Sequence, residues 1–575
     1  MSRANVSVRL CGLIMIYLFV SAHARAQTET VPVSHPAYRF LKRMEVKGVL
    51  ERYNDAMVPL SRRSIADFLT KLRERGGELT QVERDILRDF FVEFEYDITG
   101  QTQNHHVLIG SSESGVGENL EDFFSEKEKF LYVYADTNLS LFVDGLLTWD
   151  ARRSTGDALG SANATFIQFG GRIRGTVSNH FGYFLQATNA QFYGSRDVLR
   201  RDNLISQAYT LNILDAQNFD FVEGYARYDT DILSMQVGRE RMLWGNGFGD
   251  KLILSDNVRV FDFIRGDAQY KSVKYSFVHA WLLGKGSTQK FSLPSDTSFK
   301  FSEPVNADKY FAAHRLELSF PELFDVGFQE MVIYSNRSPD LAYLNPFTLL
   351  ESAQRSREER DNVLWALDIQ GHFVRGLEIQ GSILFDDINF PKWGTNAVQN
   401  KYAFQVGGML TDPAGLSNVS LAVEYTRIEP YTFSHDRSRD NDYGSLGRIL
   451  GHHIGSNADS WFFRLDYFFS RKLFTTLRFE LQREGNNIYD AATDTLISNV
   501  GGDFLQPHRS GRDSDTKEFL GGNLVKTYRV QAFVTYEIVN EIFFDLRYEM
   551  RRRTDSLAGT RTTDHDYGLA LRIDF

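Results

Sequence analysis

One cysteine, Cys11, occurs among the 575 residues, inside an N-terminal apolar run from Leu10 to Val20 that carries no lipobox. A lipid-anchored mature chain is therefore not expected. Arg3 and Arg9 precede the run and Ala24-Arg25-Ala26 follows it, the arrangement of a cleavable secretion signal over residues 1–26. At 11 residues the run is too short for a transmembrane helix, which takes roughly 20. Without that segment no cysteine is left, which excludes disulfides and thiolate chemistry. No later stretch is apolar enough to cross a membrane as a helix. Basic charge is also scarce: 64 Lys and Arg stand against 75 Asp and Glu, a net charge of −11. The signal removes three arginines and no acid, so −11 becomes −14. Nucleic acid, whose phosphates call for Lys and Arg, is not an expected partner.

Marks of catalysis are missing too. There is no G-x-S-x-G elbow, and Ser556 beside Asp555 has no histidine at readable spacing. His105-His106 and His452-His453 are adjacent rather than four apart, and read as residues of a solvated linker and loop. Asp436, Asp440 and Asp442 are interleaved with Arg437 and Arg439 and fit no calcium loop. Asp386 and Asp387 are consecutive and face opposite sides of a strand, poor geometry for paired acid–base work. No metal or cofactor is expected.

What the chain does have is two periods. Residues 27–98 repeat as helices. Ser34 is the expected cap of a first helix with Pro36 in its first turn and Tyr38, Leu41 and Met44 along one face. Ser61 opens a second, closed by Gly76-Gly77. Thr80 and Glu83 form a capping box for a third that carries Ile86, Leu87, Phe90, Phe91 and Phe94. This small domain is expected in the periplasm, with 99–129 as a polar linker. From about residue 130 to 575 the period drops to two. Val363, Trp365, Leu367 and Ile369 alternate with Asn362, Ala366, Asp368 and Gln370. Ile542, Phe544, Leu546, Tyr548 and Met550 alternate with Asp545, Arg547, Glu549 and Arg551. Runs of about 10 such residues suit tilted strands that cross a bilayer.

Short turns near Ser178-Asn179, Thr230-Asp231, Pro321-Glu322, Arg375-Gly376, Ser470-Arg471 and Asn540-Glu541 take turns with long connections. The long ones lie near 190–219, 240–266, 284–308, 336–361, 387–400, 429–460 and 485–526. That rhythm predicts a mainly β fold: a transmembrane up-and-down antiparallel barrel of about 18 strands, outer-membrane lipid covering its apolar side. A soluble sheet of this size would need a second layer, and some 70 helical residues cannot supply it. The last nine residues, Tyr567 to Phe575, put large apolar groups at every second position and end on Phe575. They resemble the closing strand that the barrel assembly machinery of bacterial outer membranes reads, which makes that machinery an expected partner. Charges of mixed sign on the inward positions, among them Asp368, Glu378, Glu424, Arg464, Asp466, Arg478 and Glu480, predict a narrow or occluded bore rather than an ion-selective one.

Two loop segments carry a family resemblance. One is Gly238-Arg239-Glu240-Arg241-Met242-Leu243-Trp244-Gly245-Asn246-Gly247, continuing to Asn257. The other is Ser335-Asn336-Arg337-Ser338-Pro339-Asp340-Leu341-Ala342-Tyr343-Leu344-Asn345-Pro346-Phe347, followed by Asp361-Asn362. With Val33-Ser34-His35-Pro36 and Pro59-Leu60-Ser61-Arg62 they resemble the Wzi capsule-assembly family along nearly the whole mature chain. The resemblance implies an outer-membrane barrel of 18 strands over a periplasmic helical bundle. It also implies lectin-like attachment of capsular polysaccharide at the cell surface rather than export or catalysis.

Sugar recognition takes flat apolar surface for C–H faces and fixed polar groups for hydroxyls. Trp244, Tyr343 and Phe347 are candidates for the first. Arg239, Arg241, Asn246, Asp250, Arg337, Asp340, Asn345 and Asn362 are candidates for the second, arginine also holding an acidic sugar's carboxylate. Both segments are expected to fold inward over the lumen mouth. The competing reading of each residue is a brace between loop and wall, with Gly245 and Gly247 serving only a tight turn. A diffusion channel and an outer-membrane hydrolase remain open as alternatives, as does contact between the helices and polysaccharide export components.

Overall fold

In a computed structural model the chain closes into a single antiparallel barrel. The structure describes residues 27–109, 125–208, 210–212, 216–284, 287–293, 296–305, 307–320, 323–387, 390–435 and 440–575. The expected signal segment, the middle of the expected linker, the turn at Pro321-Glu322 and Asp436 lie outside these. Eighteen long strands make the wall. They are β1 (Ser140–Gly156), β2 (Gly160–Val177), β3 (Phe181–Gly194), β4 (Asn218–Asp229), β5 (Leu233–Glu240) and β6 (Phe261–Tyr270). β7 (Val273–Leu283), β8 (Asp308–Phe320), β9 (Phe324–Ser335), β10 (Asn362–Val374), β11 (Leu377–Asp387) and β12 (Lys401–Thr411) follow. β13 (Val419–Ile428), β14 (Ala458–Phe468), β15 (Leu473–Asn486), β16 (Asn523–Val539), β17 (Ile542–Asp555) and β18 (Thr560–Asp574) complete it. Each strand pairs with its sequence neighbour, and β18 returns to β1 from Leu146 to Gly156. Phe575 N–H donates to Gly145 O at 3.0 Å and Gly145 N–H bonds back to Phe575 O, so the terminal residue zips the seam.

Alternation sets the two faces. Trp365, Leu367 and Ile369 are exposed outward, while Leu364, Ala366, Asp368 and Gln370 are buried inward. Ile167, Phe169, Val237, Leu477, Phe479 and Leu546 belong to the same outer belt, the surface that bilayer hydrocarbon covers. The five sequence-predicted short turns among the described residues fall between strands on one end of the barrel, joined there by Lys271-Ser272 and residues 412–418. The seven long connections share the opposite end. There the strict short–long alternation fails twice, at 157–159 and 556–559, where short links flank the seam.

The N-terminal segment forms α1 (Pro36–Val46), α2 (Arg62–Glu74), α3 (Gln81–Glu93) and α4 (Glu95–Thr99). Ser61 caps α2, and Thr80 with Glu83 forms the capping box of α3. His35, not Ser34, caps α1, its ring nitrogen accepting from Ala37 N–H at 3.2 Å. Tyr38, Leu41, Met44, Ile65, Leu69, Leu72, Leu87 and Phe90 make one apolar core.

This unit does not stand apart from the barrel. Residues 27–31 run along the inner wall, where Glu29 pairs with Arg174 (3.4 Å) and the Thr30 hydroxyl donates to Tyr225 (2.7 Å). Lys42 on α1 pairs with Glu378 on β11 at 2.7 Å, and Arg43 donates to Ser420 Oγ (2.8 Å), Glu83 (3.1 Å) and Asp412. Further on, Met57–Val58 pairs with Leu243–Trp244, a two-residue sheet inside the bore. The expected linker is part structure as well. His105–Val107 pairs in parallel with Glu128–Phe130, and His105 is buried against Phe130 and Phe142 (5.0 and 6.0 Å between ring centres) rather than solvated.

Arg43 is almost fully buried and holds Glu83 and Asp412 at once. Removing one partner of such a buried set costs about 3–5 kcal/mol because the remaining charges lose compensation. Arg43→Ala is expected to let protease release the helical segment at lower urea than wild type. The heat-dependent gel shift of the folded barrel should persist.

Candidate functional site

The connection 241–260 dives into the bore. Trp244 is fully buried in an apolar core with Met57, Leu252, Ile253, Leu254 and the inward faces of β6 to β12. Gly245 (φ 94°) and Gly247 (φ 157°) make the reversal. A Cβ at the second would lie 2.4 Å from Asp250 O, so the turn admits no side chain there. Asn246 is buried beside them. The N–H groups of Phe248 and Gly249 donate to Glu424 on β13 at 2.7 and 3.1 Å, which ties the tip of the connection to the wall.

Two further connections close over it. Residues 195–217, with α5 (Arg196–Arg200), pack Val198, Leu199, Ile205 and Leu211 on inward Phe166, Phe192 and Phe219. Gln207 of this connection donates to Asp256 O at 2.7 Å, and Arg241 donates to the same oxygen at 3.0 Å and to Gln207 at 3.3 Å. The connection 429–457 supplies Arg448, which reaches Asn203 (2.8 Å), Ser206 (3.1 Å) and Asn257 O (2.9 Å) and so stitches all three together. Burial and the neighbouring Arg259 lower the Arg448 pKa.

His452 is buried in this seal rather than lying in a solvated loop, and His453, exposed at its edge, is held there by ion pairs. His452 is buried, which lowers its pKa to about 4 and keeps it neutral. His453 sits between Asp250 (2.9 Å) and Glu480 on β15 (3.1 Å), one ring nitrogen to each. Burial opposes its charge, but Glu480 and Asp250 outweigh that and raise its pKa to about 10. Asp250, His452 and His453 bring ligand-type atoms within 4.8 Å of one another. Both His453 nitrogens are already committed to carboxylates, so the cluster reads as an ion-paired brace. Asp440 and Asp442 likewise hold Lys309 Nζ (3.1 and 2.7 Å).

The second predicted segment does the opposite of what was expected. Residues 336–361, with α6 (Leu341–Leu344) and α7 (Leu350–Ser356), fold over the outer wall and not over the mouth. Tyr310, Ala312, Val332 and Tyr334 share the outer face with Trp365 by register, and Tyr343, Leu350 and Ala353 pack on them. Arg337 forms a two-pronged pair with Asp361 (3.0 and 2.6 Å) over the Tyr334 ring, and the Tyr343 hydroxyl donates to Asp361 at 2.8 Å. Asp340 caps α6 and pairs with Arg357. Asn345 accepts from Phe347 N–H (3.1 Å), and Phe347 is 88% exposed.

The eleven predicted residues therefore do not form one site. Arg241, Trp244, Asn246 and Asp250 meet inside the mouth as a structural seal, and Asn362 is buried inward at the start of β10. Arg337, Asp340, Tyr343, Asn345 and Phe347 meet on the outer wall. Arg239 joins neither. It shares the outer face of β5 with Met235 and Val237 and pairs with Asp262 across to β6 at 2.8 Å. Arg448 went unread and His453 was read only as part of a solvated loop, because isolated polar residues in a long connection carry no period. The outward fold did leave a mark: Phe277-Val278-His279-Ala280-Trp281-Leu282 and Met331-Val332-Ile333-Tyr334 do not alternate, as wall covered on both faces should not.

Such a molecule is a membrane-type β-barrel whose bore is stoppered from both ends by its own chain. Residues 151–549 match the family model described as Capsule assembly protein Wzi, and the chain belongs to that family. Among solved structures, Wzi of Escherichia coli aligns over 95% of this chain and 99% of its own, with a TM-score of 0.56 at 11% identity. It is described as an outer membrane protein involved in group 1 capsule assembly and as a carbohydrate-binding β-barrel. Two Pseudomonas aeruginosa barrels, OccK1 (OpdK) and OprD, align over 76% of this chain and 98% and 93% of theirs. Their TM-scores are 0.42 and 0.40 at 12% and 10% identity. No curated protein matches the sequence.

The His453 brace gives a pH test. Its pKa is raised in the fold from the ordinary 6.5 to about 10, so its stabilisation is complete below about pH 6.5 and is lost as pH rises through about 10. The thermal midpoint of wild type should exceed that of His453→Gln at pH 6, and the gap should close by pH 10.5.

Proposed function

We propose that this protein is a non-enzymatic, lectin-like anchor that holds a capsular or related surface polysaccharide at the outer face of the outer membrane. The observation that carries this is the sealed mouth: three connections are bonded to one another and to the wall, so a polymer meets a fixed polar surface and not an opening. Exposed Arg200, Asn203 and Arg512 with the partly exposed Arg448 give that surface amide and guanidinium groups suited to hydroxyls and carboxylates. In this reading residues 1–26 direct secretion and the helical segment faces the periplasm, within reach of export components. The Phe575 strand is what the barrel assembly machinery engages, and lipid covers the belt. Of the residues predicted from sequence, Arg239, Asn345 and Phe347 are exposed, all on the outer wall and away from this surface.

One observation favours a second reading, a narrow solute channel. A cavity of about 210 Å³ remains on the inner wall near the seam, lined by Thr148, Asp150, Phe533, Thr535, Asp545, Arg547 and Arg572. Liposome swelling and surface retention separate the two. Reconstituted wild type is expected to pass small sugars far more slowly than an open porin. Deletion of the gene should release polysaccharide from the cell surface, wild type should restore it, and the doubly substituted Arg448→Ala, Arg512→Ala chain should fold yet restore it only weakly. Porin-like uptake, or full retention by that variant, would sink the anchor reading.

A further inference from the structure

The strand faces under residues 336–361 are wrong for bare contact with lipid. Tyr275, His279, His314, Glu330 and Tyr334 all lie on the outer face by register, opposite or beside lipid-facing Leu316, Phe328 and Trp365. Covering this polar stretch, the segment satisfies much of it. Glu330 accepts from the N–H groups of Leu350 and Glu351, both at 2.8 Å, at the start of α7. Tyr334 shares a hydrogen with His279 Nε2 at 2.7 Å and accepts from Asp340 N–H at 3.1 Å, and the Tyr275 hydroxyl donates to Pro346 O.

On its far side the same segment presents Leu341, Phe347 and Leu349, which are 81%, 88% and 64% exposed. Polar groups are thus buried beneath and large apolar groups point away, the reverse of a water-facing loop. The apolar side is also continuous with the belt: Phe328, Trp365 and Leu367 emerge on β9 and β10 just beyond its lower edge. The connections 195–217, 241–260 and 429–457 turn inward or over the mouth instead. This one replaces a polar strip of wall with an apolar one at the level where the belt ends.

We propose that residues 336–361 are an interfacial anchor: Leu341, Phe347 and Leu349 insert into the outer leaflet of the bilayer among the upper acyl chains. The anchor fixes the depth of the barrel on the β7–β10 side, as short amphipathic elements do when their apolar face enters the headgroup boundary.

The chain beyond residue 26 has no cysteine, so one introduced thiol carries one label. Full-length Phe347→Cys and Leu349→Cys, each labelled with an environment-sensitive dye, would be reconstituted in phosphatidylcholine–phosphatidylglycerol vesicles. Leu367→Cys in the belt and Glu358→Cys at the polar end of the segment serve as references. Vesicle lipid bearing a nitroxide near the top of its acyl chain should quench the labels at 347, 349 and 367, whose emission should be blue-shifted and insensitive to iodide. The label at 358 should respond to iodide instead. Iodide quenching at 347 and 349 with lipid quenching kept at 367 would overturn the anchor while leaving the membrane barrel intact. Shielding from both quenchers that is lost on dilution into excess lipid would also overturn it, since a second copy of the chain would then cover the patch.

Discussion

A barrel of eighteen strands encloses more space than its own inward side chains can fill; at that width an unaided bore stays an aqueous channel. Most of this molecule answers that constraint. From the turn end come residues 27–58, which pass along the wall and carry Met57–Val58 into the lumen. From the loop end comes 241–260, which meets them as Leu243–Trp244. The two-residue sheet they form lies under a common apolar core, so neither half of the stopper is complete without the other. Closure of the wall is the companion requirement, because backbone groups left unpaired in hydrocarbon are costly and only a barrel without edges avoids them. Phe575 and Gly145 complete it.

Filling a bore this way moves polar chemistry to the boundary between filler and wall. Lys42 with Glu378, Arg43 with Ser420, Glu424 with two backbone N–H groups, and His453 with Glu480 each tie another segment of the chain to a strand. Inward charges of mixed sign can also pair with one another across strands. Some do, as Arg315 with Asp368 (2.5 Å) and Arg529 with Glu480 (2.7 Å). Others wait for the stopper. Buried pairs of this sort add little net stability compared with apolar packing, yet one partner without the other is strongly unfavourable. They therefore specify where the filler docks more than how strongly the barrel holds.

The same logic works outward. Strands β7 to β10 are covered on the inside by the stopper and on the outside by 336–361, which is why their loop-side halves are apolar, aromatic or paired on both faces. The anchoring role proposed above would gain from this arrangement, because the polar face at the mouth is held by three cross-linked connections. A mobile loop would lose conformational entropy on gripping a polymer, whereas these are ordered beforehand.

Local pattern by itself determined a good deal. The two-residue period and the turn spacing specify a closed antiparallel barrel of about 18 strands, because alternation and strand length are properties of consecutive residues. The caps at Ser61 and Thr80 are legible for the same reason. The family resemblance, carried by two loop segments, was right about kinship, but those segments say nothing of which way a loop folds. Only the tertiary structure decided that Trp244 is core, that Arg239 faces outward, that Tyr343 and Arg337 pack on the outer wall, and that His453 and Arg448 are seals. The helical segment has its own apolar core, yet only the tertiary structure showed that it also lends Met57–Val58 to the stopper. Each of these depends on which distant surface a segment meets, and contacts across hundreds of residues leave no mark in the spacing of neighbours.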